Sequence, residues 1–175
     1  MKTLLITALL ALTPGLAHAD SVPAPVKEIM DVEIASWSGG DDQGDLFSTD
    51  RLGRLYSRDF AAKYTAATHF PAYGDDPIGS PFEHDVITSS QDGCPLEDIS
   101  MKPNGAIDGA EDVVVTFRLM GCAEDAADKA RVTEVHFRVI KEGGRPVVDD
   151  VLTEPETKGG PFDSLKATMA SIGKQ

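Results

Sequence analysis

Apolar residues recur at helical spacing early in this chain and at spacing two later in it. Val26, Ile29, Met30, Ile34 and Trp37 share one face of a helix that Pro25 can open in its first turn. "SGGDDQGD" (38–45) ends that helix in an acidic loop. Leu52, Leu55, Tyr56, Phe60 and Tyr64 form a second stripe, which predicts one continuous helix fading near Thr68. Ser48 or Thr49 can cap it, and Asp50 suits its positive N-terminal end. "HFPAYGDDPIGSPFEHD", with Pro71, Pro77 and Pro81, then reads as a long irregular connection.

From residue 96 the period changes to two. Leu96 to Lys102 is a faint strand pattern. In "EDVVVTFRLMG", Val113, Val115, Phe117 and Leu119 alternate with Val114, Thr116 and Arg118. In "RVTEVHFRVIK", Val135, Phe137 and Val139 alternate with Glu134, His136 and Arg138. Such alternation marks antiparallel strands with one face buried. "EGG" (142–144) turns the chain into "RPVVDDVL", whose Pro146 sits near the strand start, where proline is tolerated. Asp163 or Ser164 then caps a last helix carrying Leu165, Met169 and Ile172, which Gly173 ends. The order predicts a single α+β domain: N-terminal helices packed on an antiparallel sheet of three to four strands, with a C-terminal helix.

The first twenty residues change the picture of compartment. Lys2, the apolar run Leu4–Leu12, Pro14-Gly15 and Ala17-His18-Ala19 have the parts of a cleaved secretory signal over residues 1–19. The expectation is an exported, periplasmic or secreted protein with neither a lipid anchor nor a membrane span, and a single domain over residues 20–175. Losing Lys2 takes the formal charge from -13 to -14. That field disfavours nucleic acid and anionic lipid, because phosphate recognition needs Lys and Arg. Cys94 and Cys122 are the two cysteines, and an oxidising compartment would pair them in a disulfide.

Candidate chemistry concentrates in "SPFEHDVITSSQDGCP" (80–95). Glu83, His84 and Asp85 are consecutive and diverge in an extended chain, so they make a poor metal site. The sequence has no H-E-x-x-H, no EF-hand loop, no C-x-x-C and no G-x-S-x-G, and neither metal nor cofactor is expected. Asp85 and Asp92 are the candidate acid/base residues, and Asp85, Gln91, Asp92 and Asp150 the candidate binding residues. The structural alternative is a turn at Gln91-Asp92-Gly93, where Asp caps the backbone and Gly takes an unusual dihedral. Asp149 and Asp150 alternate, so one of them faces inward and needs partners, such as amides of the 85–92 loop. His136 shares a face with Glu134 and Arg138 and reads as a cross-strand surface residue.

"LFSTDRLGRLYSRDFAAK", "PFEHDVITSSQDGCP", "GGRPVVDDVLTEP" and "DSLKATM" follow one another in an order that resembles domain-of-unknown-function family 3828. That family, a group of bacterial exported proteins, is part of the nuclear-transport-factor-2-like (cystatin-like) superfamily. The resemblance implies a curved sheet folded around helices into a cone with an interior cavity. It assigns no activity. The leading expectation is therefore a non-catalytic domain, monomer or homodimer, that binds a small molecule or an envelope protein. The alternatives are a cofactor-free isomerase, dehydratase or hydrolase using a cavity carboxylate, and an acidic inhibitor or immunity-type protein against a basic envelope enzyme.

Overall fold

The structure is a computed structural model that describes residues 22–39, 45–73, 79–155 and 159–175. The signal sequence expected over residues 1–19, Pro77 and most of the acidic 38–45 loop lie outside the described residues. The elements are α1 (Ala24–Trp37), α2 (Thr49–Leu55), α3 (Arg58–Ala67), β1 (Glu97–Ile107), β2 (Ala110–Arg118), α4 (Ala126–Ala130), β3 (Thr133–Glu142), β4 (Arg145–Thr153), β5 (Asp163–Ser164) and α5 (Leu165–Ile172).

The sheet corrects two expectations. It has five strands rather than three or four, in the order β1-β2-β3-β4-β5, with every neighbouring pair antiparallel. It is an open meander ending at β1 and β5, neither closed nor curled, so the cone of the nuclear-transport-factor-2-like fold is absent and that family resemblance fails with it. The physical reason lies in the connections. Asp108-Gly109 and Gly143-Gly144 take left-handed dihedrals and turn β1 directly into β2 and β3 directly into β4, while the longer connection carrying α4 returns the chain beside β2. The fifth strand escaped the pattern because Asp163-Ser164 is two residues long and carries no period; it pairs with Leu152 and Thr153 just before α5.

One face of the sheet is apolar. Val113, Val115, Phe117, Val135, Phe137 and Val139 are buried there together with Ile29 and Met30 of α1, Phe60 of α3 and Met169 of α5. α1, α2, α3 and α5 lie against this face and fill it with side chains, whereas α4, between β2 and β3, buries none. The general α+β arrangement, with helices before the sheet and one after it, is thus as the sequence predicts.

The second predicted helix is broken. Tyr56 is extended and forms an isolated parallel bridge with Val148 of β4. Ser57 donates its amide to the Val148 carbonyl at 2.8 Å, and its hydroxyl accepts the Phe60 amide and donates to Asp149 Oδ1 at 2.7 Å. Ser57 is fully buried, so these bonds replace all the water it would otherwise meet. Ser48 caps α2 and Ser57 caps α3. The apolar stripe continues across the break because both helices face the same core.

Cys94 and Cys122 form the expected disulfide, with Cα atoms 5.8 Å apart. The Cys94 amide donates to the Leu119 carbonyl, so the staple fastens the end of the long connection to the end of β2. No helix among the described residues is long and apolar enough to cross a membrane.

Replacing Ser57 with alanine removes a cap and leaves the Asp149 carboxylate short of a donor. The expected loss is ~1–3 kcal/mol in urea unfolding with native spectra retained; an unchanged midpoint contradicts the assigned role.

Candidate functional site

The segment 79–95 packs between α1 and the end of the sheet, and Asp85 organises it. Its Oδ1 accepts the Ile87 amide at 2.9 Å, the Thr88 amide at 2.7 Å and the Thr88 hydroxyl at 3.0 Å. Its own amide donates to the Ser90 carbonyl. Asp85 thus closes the turn that buries Val86, Ile87 and Thr88. The residue with the unusual dihedral is Ser89 (φ 53), not Gly93. Gly93 is required by proximity instead: a Cβ there would stand 2.5 Å from Leu119 Cδ1 and 2.8 Å from Trp37 Cζ3.

Asp85 also meets Glu33 of α1, which the sequence reading did not single out. Glu33 is 1% exposed. Its Oε1 accepts the Trp37 indole N–H at 2.6 Å, and it lines the same small cleft as Asp85. Burial first, and the neighbouring Asp85 second, push the Glu33 pKa up to about 8. At neutral pH Glu33 therefore keeps its proton. A signal for it existed. Residue 33 falls at i+3, i+4 and i+7 from Met30, Ile29 and Val26, inside the apolar stripe of α1.

Glu33 and Asp85 line a small cleft of ≈ 250 Å³ together with Asp45, Phe47, Phe82 and His84. Phe82, His84 and Val86 also form one wall of a larger groove of ≈ 630 Å³. The opposite wall comes from Thr153 at the end of β4 with Glu154 and Pro155 after it, from Gly160, Pro161 and Asp163, and from Leu165 and Thr168 of α5.

The other residues singled out from the sequence are placed apart from the cleft floor. Gln91 is exposed and donates to the Glu83 carbonyl at 3.0 Å and to the Tyr73 hydroxyl at 3.3 Å, which fastens the segment to itself. Asp92 is exposed and lines neither the cleft nor the groove. Asp150 accepts the Val151 and Lys166 amides on Oδ1 and the Ser164 hydroxyl on Oδ2, at the start of α5. Its partners come from α5 rather than from the 85–92 loop. Asp149 accepts the Ser57 hydroxyl and the Lys166 ammonium, 2.6 Å from Oδ2. Desolvation works against the Lys166 charge, but Asp149 and Asp59 outweigh it and raise its pKa.

A second buried carboxylate lies on the opposite face of the sheet. Asp112 is 0% exposed and is met by Asn104 Nδ2 at 2.8 Å, Arg138 NH1 at 3.0 Å and His136 Nδ1 at 3.0 Å. His136 Nε2 lies 3.1 Å from Glu134 Oε1, and Phe162 packs edge-on against the ring. His136 is thus a cross-strand residue but not the surface one expected: its side chain is only 15% exposed, with carboxylates at both ring nitrogens. That arrangement satisfies a buried charge and leaves no ring nitrogen aimed at open space. Among the described residues, no three His, Cys, Asp or Glu side chains converge as metal ligands would.

The raised Glu33 pKa has a definite sign for stability. The folded protein holds a proton that the unfolded chain, with a value of 4.5, releases. Stability from this group is full below pH 4.5 and is lost as pH rises towards about 8. Glu33→Gln keeps a donor for Asp85 and an acceptor for Trp37 without the titration. Its unfolding free energy should match the parent in mild acid and exceed it by a few kcal/mol in mild alkali. Parallel pH profiles in urea denaturation would contradict the pairing.

No protein-family model, no characterised protein and no solved structure matches this chain, so the site is read from its own geometry.

Proposed function

We propose that this chain is an exported, non-catalytic domain that binds a small ligand in the groove between segment 82–89 and α5. One observation carries the reading: a concave space of ≈ 630 Å³, bounded by apolar Phe82, Val86 and Leu165 and rimmed by polar His84, Glu154 and Asp163. That volume falls in the usual range for small-molecule sites, and polar side chains share the lining about equally with apolar ones. Two rim carboxylates and a formal charge of -13 favour a neutral or cationic ligand over an anion. The apolar run and small-x-small end of residues 1–19, and the Cys94–Cys122 disulfide, support export to an oxidising compartment.

A second reading has one observation in its favour. A protonated Glu33 beside Asp85 is the arrangement from which a carboxylic acid can donate a proton near neutrality. Cofactor-free proton-transfer or hydrolytic chemistry at the small cleft would use Glu33 as acid and Asp85 as base.

Thr168 is exposed on α5 and lines the groove, so Thr168→Trp fills it without disturbing the core. Compounds found by thermal-shift screening of small amines and neutral molecules should lose at least about tenfold in affinity in this variant. Hits indifferent to Thr168→Trp would remove the groove as the site. Hits that the protein converts, with turnover abolished by Asp85→Asn, would favour the enzymatic reading. For export, N-terminal sequencing of the protein recovered from the cell envelope should begin at Asp20; a retained Met1 would count against it.

A further inference from the structure

We propose that Asn104 is a site of spontaneous deamidation, and that the carboxylate it leaves loosens the buried charge cluster around Asp112. Asn104 is the one asparagine of the chain, and a glycine follows it. Glycine in that place leaves the backbone nitrogen unshielded and its dihedrals free, which favours ring closure onto the side-chain amide. Local structure keeps the pair open to reaction. β1 is an edge of the sheet, where Pro103 pairs with Val113 and Ala106 with Glu111. Asn104 and Gly105 therefore bulge opposite the single residue Asp112, outside the regular ladder. Both are exposed, and Gly105 takes a left-handed φ of 86°. A Cβ built on Gly105 would meet nothing within 4 Å, so water reaches the reacting peptide bond.

The chemistry needs water alone. The Gly105 nitrogen gives its proton to solvent and attacks Asn104 Cγ. The ring closes to a succinimide, and the amide nitrogen takes up a proton and departs as ammonia. Water then adds to either ring carbonyl and opens it to aspartate or isoaspartate, with no change of oxidation state. What is lost is the bond that Asn104 Nδ2 donates to Asp112 Oδ2 at 2.8 Å. Asp112 is fully buried, and its other partners are Arg138 and His136, each 3.0 Å away. After conversion, position 104 can only accept, and it sets a second negative charge beside a carboxylate cut off from water. Glu134, on the far nitrogen of His136, already competes for the same imidazole. The cluster ties β1 to β2 and β3, so the change weakens the edge of the sheet.

The folded parent protein, held in mildly alkaline buffer, should gain one mass unit that fragmentation places at residue 104. Its rate should lie within about tenfold of that in the guanidinium-unfolded chain, as for an amide outside the protected ladder. Asn104→Gln closes a larger, slower ring and should show no gain over the same period. Slower conversion in the folded chain, or an undiminished gain in Asn104→Gln, would overturn the site. Urea unfolding reads the consequence separately. Asn104→Asp should have a lower midpoint than Asn104→Ala, which loses the donor without adding a charge. Converted parent protein, separated from the rest by its added charge, should unfold at a lowered midpoint too. Equal midpoints for Asn104→Asp and Asn104→Ala, or converted protein as stable as the parent, would overturn the effect on Asp112.

Discussion

The arrangement of helices on this sheet depends on a bulge in β4. Arg138 pairs with Asp150 and Val139 with Val148, which leaves Asp149 as the extra residue between them. The bulge brings two consecutive aspartates to bear on the helix layer. Asp149 receives Ser57 and Lys166, and Asp150 receives Ser164 and the Lys166 amide. One irregularity therefore breaks the long amphipathic segment into α2 and α3, starts α5, and places β5 beside β4. Three of the four carboxylate oxygens receive a group at a helix start, and the fourth the Lys166 ammonium, so removing most partners disturbs a helix end as well as a charge.

The chain buries two further acids and treats them differently. Asp112 is surrounded by Arg138, His136 and Asn104, so its cost of leaving water is offset by donors and a guanidinium. Glu33 meets an indole and another carboxyl, and its cost is met by keeping its proton. The first solution is insensitive to the surrounding chain's mobility because its partners stand on adjacent strands. The second rests on the protonation of a single side chain of α1, so the same proton bears on stability.

The open sheet relocates the cavity. A curled sheet would enclose a pocket on its concave side, where alternating strand residues meet a ligand. Here that face is filled by Phe60, Phe117, Phe137 and their neighbours, and the usable space lies at the end of the sheet against α5. Its walls come from a proline-rich connection and from the segment following β4. Such walls are set by loop anchoring, which gives the Asp85 turn and the disulfide their importance.

How much was legible follows from what each signal measures. The positions of α1, β2, β3 and α5, the turn at 142–144, the α+β class and the Cys94–Cys122 pairing could be read from periodicity, turn residues and cysteine count, because each reflects one local face or one forced choice. Asp85 was legible as a turn former and as a candidate site residue, since both roles follow from a polar residue in a constrained loop. Periodicity could not show that the Leu52–Tyr64 stripe breaks at Tyr56, because the break is made by Val148 and Asp149, some ninety positions away. Nor could it show β5, which is defined by its pairing, or the curvature of the sheet, which a family resemblance supplied wrongly. Glu33 stood in plain view inside an apolar stripe, but only the tertiary structure brought Asp85 to it. A carboxyl's ionisation depends on what surrounds it in space, and spacing along the chain carries no record of that.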